Sequence, residues 1–176
     1  MPSNSSWVLP SGRMTRKGRG PYLLLMGLLI AADQASKWLV TRALPLEGTR
    51  DVVRGFLRLW HVRNSGAVWG FLSGHDGSWV PRVITALAAA ALLVVLVFFL
   101  RARRDERLER LAYALILGGA LGNLIDRLRL GYVVDFIDVF VKSWHWPTFN
   151  VADSGITVGV LLLAFTLLRR DSCTPS

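Results

Sequence analysis

The sequence predicts an all-α membrane protein: four transmembrane helices, a small β-containing outer loop domain and a second, interfacial outer segment. Three observations carry this. Apolar residues make up 52% of the chain, and mean hydropathy is positive at +0.40. Four apolar segments approach the roughly 20 residues needed to span a hydrocarbon core. Arginines gather in the short segments that precede, join or follow these runs.

The first span, about 22–44, is interrupted by Asp33-Gln34-Ala35-Ser36-Lys37. The second, about 80–100, is the cleanest, with only Arg82 near its start. The third, about 109–128, is apolar from Leu111 and ends in Asn123, Asp126 and Arg127. The fourth covers about 151–168. Residues 1–20 read as a cytoplasmic N-terminal extension, rich in Ser, Gly, Pro and basic residues. Residues 21–170 form a single four-span domain, and 171–176 a cytoplasmic tail.

The excess of 21 Lys+Arg over 12 Asp+Glu is mostly an orientation signal rather than a nucleic-acid footprint. Arg13, Arg16, Lys17 and Arg19 precede the first span, and Arg101, Arg103, Arg104, Arg107 and Arg110 fill the second link. Arg169 and Arg170 follow the last span. This places both termini in the cytoplasm by the positive-inside rule. The first span is read as uncleaved, because Asp33 and Lys37 follow its apolar stretch Leu23–Ala32 where a signal peptide would carry small residues. The single Cys173 excludes an internal disulfide.

The two outer segments are not plain linkers. Residues 52–62 carry Phe56, Leu57, Leu59 and Trp60 with a β-leaning composition. Residues 131–149 contain Phe136, Ile137, Phe140, Trp144 and Trp146, the aromatic signature of a membrane interface. With the N-terminus inside, Asn123, Asp126, Asp135, Asn150 and Asp153 all fall near the outer face. Asp33 and Lys37 lie in the outer half of the first span. Charged groups cost roughly 2.5–3.5 kcal/mol each at a bilayer centre, so their convergence marks a site.

Each candidate has a structural reading beside the functional one. Asp33 and Lys37 are four apart on one helical face and form either a self-neutralising pair or part of a site. Ser36 and Lys37 point about 100° apart, which disfavours a hydrolase dyad. Gly118 and Gly122 allow close helix approach. Asp126 either pairs with Arg127 or binds loop backbone. Asp135 has no cation nearby in sequence, and Asp138 reads as a surface or structural residue without a partner. Asp153 or Asn150 caps the fourth span. His61, His75 and His145 are scattered, so no metal site is expected. Two carboxylates without Cys, Ser or metal partners point to aspartyl chemistry, in which a close pair shares a proton.

These residues resemble the bacterial lipoprotein signal peptidases (signal peptidase II), a family of intramembrane aspartyl proteases. The matching pieces are Asp33-Gln34-Ala35-Ser36-Lys37, Asn64-Ser65-Gly66-Ala67-Val68-Trp69-Gly70, Gly118–Arg127, Val133-Val134-Asp135-Phe136 and Phe149-Asn150-Val151-Ala152-Asp153-Ser154. The resemblance implies that Asp135 and Asp153 are the catalytic dyad. It also implies that Asp33, Lys37, Asn64, Gly119, Asn123, Arg127, Val133 and Asn150 surround the site or hold substrate, with Asp126 in support. It implies no cofactor, diacylglyceryl-modified prolipoproteins as substrates, contact with membrane lipid, and inhibition by the cyclic peptide globomycin. Trp69, where phenylalanine is more usual, and Gly155, where serine or alanine is common, are departures. The loop around Asn64 is expected to close over substrate. A monomer is expected, because nothing marks a dimer face.

Two readings from other classes remain at this point. Intramembrane acids also serve proton-coupled transporters and channels. They serve non-enzymatic assembly factors as inter-helix ion pairs as well.

Overall fold

The computed structural model describes residues 18–66 and 79–171, the last two without their side chains. Four helices are long and apolar enough to cross a membrane: α1 (Gly20–Ala43), α2 (Val80–Arg101), α3 (Arg107–Leu130) and α4 (Val151–Asp171). All four spans predicted from sequence are present, each extended by a few residues at one or both ends. Pro residues sit in the first turns of α1 and α2, where a missing N–H costs nothing. Gly131 ends α3 at φ 82°, a left-handed conformation that glycine adopts without steric cost.

α3 packs against each of the other three helices. Small residues make this possible. A Cβ built on Gly118 would lie 3.1 Å from Leu29 Cδ2 of α1, and one on Gly122 would lie 2.7 Å from Asp33 Oδ2. Gly159 brings α4 equally close to Ile116 and the Ala112 carbonyl. Gly155, noted as a departure, leaves room for Leu29, whose Cδ2 would stand 2.5 Å from a Cβ there. Leu24, Leu28, Val94, Phe98, Leu161 and Phe165 remain exposed. They form the surface a hydrocarbon phase would cover.

The small sheet expected of the first outer segment is present, and the second outer segment adds two strands to it. Strands β1 (Thr49–Val53), β2 (Leu57–Asn64), β3 (Val133–Val141) and β4 (Trp144–His145) stand in that order, all antiparallel. The β2–β3 pairing joins residues some 70–80 apart, which no local pattern announces. Register places Val62 opposite Asp135 and Asn64 opposite Val133. Alternation therefore puts Asn64, Val133 and Asp135 on one face and His61, Arg63 and Val134 on the other. Phe149 bonds the backbone of Phe136 and Ile137, which delivers Asn150 and the start of α4 beside Asp135.

Asp138 departs from expectation. It is fully buried at 0% exposure and has two partners. Arg58 Nε donates to its Oδ2 at 2.6 Å, and His145 Nδ1 lies 3.0 Å from Oδ1. Arg58 stands directly across the ladder, so a cross-strand contact decides for the structural reading of Asp138 over the surface one and supplies the partner that sequence did not reveal.

Candidate active site

The polar centre lies at one end of the bundle. It is assembled from α1 (Asp33, Gln34, Lys37), α3 (Asn123, Asp126), β3 (Asp135) and the start of α4 (Asn150, Asp153). Lys37 is its hub. Its ammonium reaches Asp33 Oδ2 at 2.8 Å, Asp126 Oδ2 at 2.9 Å and Asn123 Oδ1 at 2.9 Å, so its three donors match three acceptors. Asp33 also accepts the Ala152 N–H at 2.9 Å, fastening α1 to the first turn of α4.

Asp126 takes the Val134 N–H at 3.2 Å and so pins the start of β3. Of the two sequence readings for Asp126, loop-backbone binding holds and pairing with Arg127 does not. Lys37 supplies the counter-charge instead. Arg127 is half-buried, and its side chain has no hydrogen bond or ion pair among the described residues. Successive helical residues diverge by about 100°, so Arg127 points away when Asp126 faces α1.

Asn123 and Asn150 connect this hub to the remaining two carboxylates. Asn123 Nδ2 donates to Asp153 Oδ1 at 2.7 Å, while its Oδ1 accepts from Lys37 and, at 3.1 Å, from Asn150 Nδ2. Asn150 Nδ2 also donates to Asp135 Oδ1 at 2.7 Å. Asp135 Oδ2 accepts from Asn64 Nδ2 at 2.9 Å. Asp135 and Asp153 are thus bridged through Asn150 and Asn123. Burial pushes the Asp135 carboxyl up from 3.8 to about 6, and the nearby negative charge of Asp153 adds to the shift. Hydrogen bonds from Asn64 and Asn150 and the charge of Lys37 oppose it.

The candidates singled out from sequence, Arg127 excepted, gather here. Val133 is buried beside Asn64, and Gly119 lets α3 approach α4, its position facing the Ala152 carbonyl and Ile156. Gln34 was missed. Its side-chain amide donates to Asp126 at 2.9 Å and to the Gly122 carbonyl at 3.2 Å. An uncharged polar residue inside an apolar run was the available signal. Trp69, His75 and Cys173 lie outside the described residues, as do 67–70 of the Asn64 motif and most of the N-terminal extension.

Four membrane-length helices with a connected cluster of four aspartates at one end define a polytopic membrane protein with an acidic centre. The model of the family described as Signal peptidase (SPase) II matches residues 25–169. The chain is 45% identical to the lipoprotein signal peptidase of Geobacter sulfurreducens, with 84% of this chain and 91% of that one covered. It is 46% identical to that of Burkholderia ambifaria strain MC40-6, covering 85% and 89%. A solved bacterial membrane enzyme superposes with a TM-score of 0.78 at 32% identity, covering 89% of this chain and 93% of the other. The chain belongs to the signal peptidase II family and is a membrane protease.

Proposed function

We propose that this protease is an aspartic endopeptidase in which Asp135 and Asp153 activate water. It cuts diacylglyceryl-modified prolipoproteins just before the lipidated cysteine. The observation that supports this most is the Asn150 bridge. One residue donates a side-chain N–H to Asp135 and its backbone N–H, at 3.2 Å, to Asp153. It thereby orients two carboxyls toward a common substrate.

Burial and the Asp153 charge both favour the neutral form of Asp135, which suits it to carry a proton. In the proposed reaction Asp153, held by Asn123 and Asn150, takes a proton from water as the hydroxyl adds to the scissile carbonyl. Asp135 donates to the carbonyl oxygen. The tetrahedral intermediate then collapses as the proton on Asp153 passes to the leaving amine and one of its two hydroxyls returns a proton to Asp135, which leaves a carboxylic acid and restores both aspartates. Lys37 stays outside this exchange and holds Asp33, Asp126 and Asn123 in place.

The same reading carries the remaining assignments. The protein resides in the bacterial cytoplasmic membrane, with both termini cytoplasmic and the centre near the outer face. Residues 21–170 act as one domain and as a monomer, and the cyclic peptide globomycin inhibits the protein. Asn64, Asn123 and Asn150 surround the scissile bond, with Gly119 and Val133 shaping the wall and Arg127 contacting substrate. The test is cleavage of a purified diacylglyceryl-modified prolipoprotein by wild type, Asp135→Asn and Asp153→Asn. Loss of cleavage in both variants with folding retained supports the dyad. Robust cleavage by either refutes its catalytic assignment and redirects attention to Asp126 and Asp33.

A further inference from the structure

The end of the bundle opposite the acidic centre carries a second built feature. A cavity of ≈ 430 Å³ opens where the start of α1, the end of α2 and the α2–α3 link meet. Arg19, Arg101, Arg103, Arg104 and Arg110 line it. Its size falls within the range of roughly 300–1,000 Å³ typical of small-ligand sites.

Charge here is poorly compensated. Arg103 has an ion pair with Asp105 at 3.5 Å, both side chains being about three-quarters exposed. Arg101 and Arg104 have no acidic partner among the described residues. Glu106 accepts the Arg103 backbone N–H at 2.8 Å, and both Glu106 and Glu109 are otherwise engaged.

Arg110 is the second observation. It is only 3% exposed, yet among the described residues its side chain has one acceptor, the Ala102 carbonyl at 2.8 Å. Its Nε is buried with no hydrogen-bond partner among the described residues. A buried guanidinium left this far short of acceptors is uncommon and calls for an explanation. Arg19 similarly bonds the Leu100 carbonyl at 2.6 Å. Two arginines thus bond carbonyls at the C-terminal end of α2, and both line the cavity. Membrane orientation depends on the number of basic residues in a link, not on a buried arginine or a shaped recess. The positive-inside rule therefore does not account for this arrangement.

We propose that this cavity binds the phosphate of an anionic glycerophospholipid. A phosphodiester supplies acceptors that match the planar donor fork of arginine, and the lipid–water boundary holds that group at high local concentration. In the orientation proposed above, the site faces the cytoplasmic leaflet, whose basic inter-helix pockets suit anionic headgroups. The site is separate from the dyad and does not depend on the peptidase chemistry.

The test is native mass spectrometry of the full chain released from detergent and titrated with phosphatidylglycerol, phosphatidylcholine or inorganic phosphate. Wild type is expected to retain phosphatidylglycerol in preference to phosphatidylcholine. Arg101→Gln/Arg104→Gln should weaken retention roughly 30-fold, about fivefold per arginine. The charge-conserving Arg101→Lys/Arg104→Lys should retain most of it. Arg50→Gln/Arg54→Gln removes equal charge beside β1, at the other end of the molecule, and should leave retention unchanged. Equal retention by the Arg101/Arg104 variant, an equal loss in the control, or no preference over phosphatidylcholine overturns the proposal. Displacement of the lipid by equimolar inorganic phosphate identifies a free-anion site and overturns the lipid assignment.

Discussion

Asn150 and Asp153 cap one another. The Asp153 N–H donates to Asn150 Oδ1 at 2.9 Å, and the Asn150 N–H donates to Asp153 Oδ2 at 3.2 Å, a reciprocal box at the start of α4. Capping and catalysis were competing explanations for Asp153, but the geometry makes them compatible. Asp153→Asn keeps an acceptor for the Asn150 N–H but sets its amide against Asn123 Nδ2, so it is expected to abolish cleavage at a stability cost of about 1 kcal/mol. Asp153→Ala also loses the cap and should cost about 1 kcal/mol more. Paired activity and melting measurements in detergent check this. A large stability loss in Asp153→Asn would return the residue to a structural role.

The raised carboxyl of Asp135 makes a pH prediction with a definite sign. Its folded-state value, about 6, lies above the ordinary 3.8, so the native state binds the extra proton. Stability from this group is complete below about 4 and is lost as pH rises through about 6, on the order of 2–3 kcal/mol in all. Asp135→Asn cannot ionise and should show a flatter stability profile over that range, with melting at pH 7.5 no lower than wild type. Asp153→Asn removes one cause of the shift and should move the wild-type inflection to lower pH. If protonated Asp135 is the acid, kcat/KM falls on the alkaline side of the same inflection. A profile flat from pH 5 to 8 refutes that role.

Lys37 holds two buried carboxylates, so its removal should unbalance both. Lys37→Met leaves Asp33, 0% exposed, and Asp126 without their cation. Breaking a buried ion pair from one side costs about 3–5 kcal/mol. The triple change Lys37→Met/Asp33→Asn/Asp126→Asn removes the stranded charges and should recover much of the loss. Thermal unfolding of the three proteins measures the difference. No recovery in the triple variant would show that Lys37 acts through something other than these two partners.

The helices were legible because a 20-residue apolar run has few alternative readings, and the clustering of acids at one depth followed from topology alone. The partners of those acids were not legible. Asp126 stands next to Arg127 in sequence but bonds Lys37, which lies 89 positions away. Asp138 draws its cation from a strand whose register the turn and the distant β3 residues set together. The proposed choice of Asp135 over Asp126 comes from the family resemblance, and the ion pair between Lys37 and Asp126 is compatible with it. Hydrophobic periodicity reports which face a residue occupies, but not which remote side chain meets it.

Gly119 provides a test of how tightly the site depends on helix approach. A Cβ there would collide with the Ala152 carbonyl and come within 2.8 Å of Ile156 Cγ1. Both obstacles belong to α4, and Ala152 directly precedes Asp153. The backbone carbonyl cannot swing aside as a flexible side chain would, so Gly119→Ala must push α4 from α3. That movement stretches the 2.7 Å bond from Asn123 to Asp153. Gly27 on α1 is the control, since nothing lies within 4 Å of a Cβ built there. Gly27→Ala should be neutral or stabilising by up to about 1 kcal/mol, as expected for glycine in a helix interior. Gly119→Ala should destabilise by about 1–3 kcal/mol, as overpacking does, and reduce kcat more than KM. Equal behaviour of the two variants would mean that α4 yields freely, and that the dyad does not rely on this contact for its alignment.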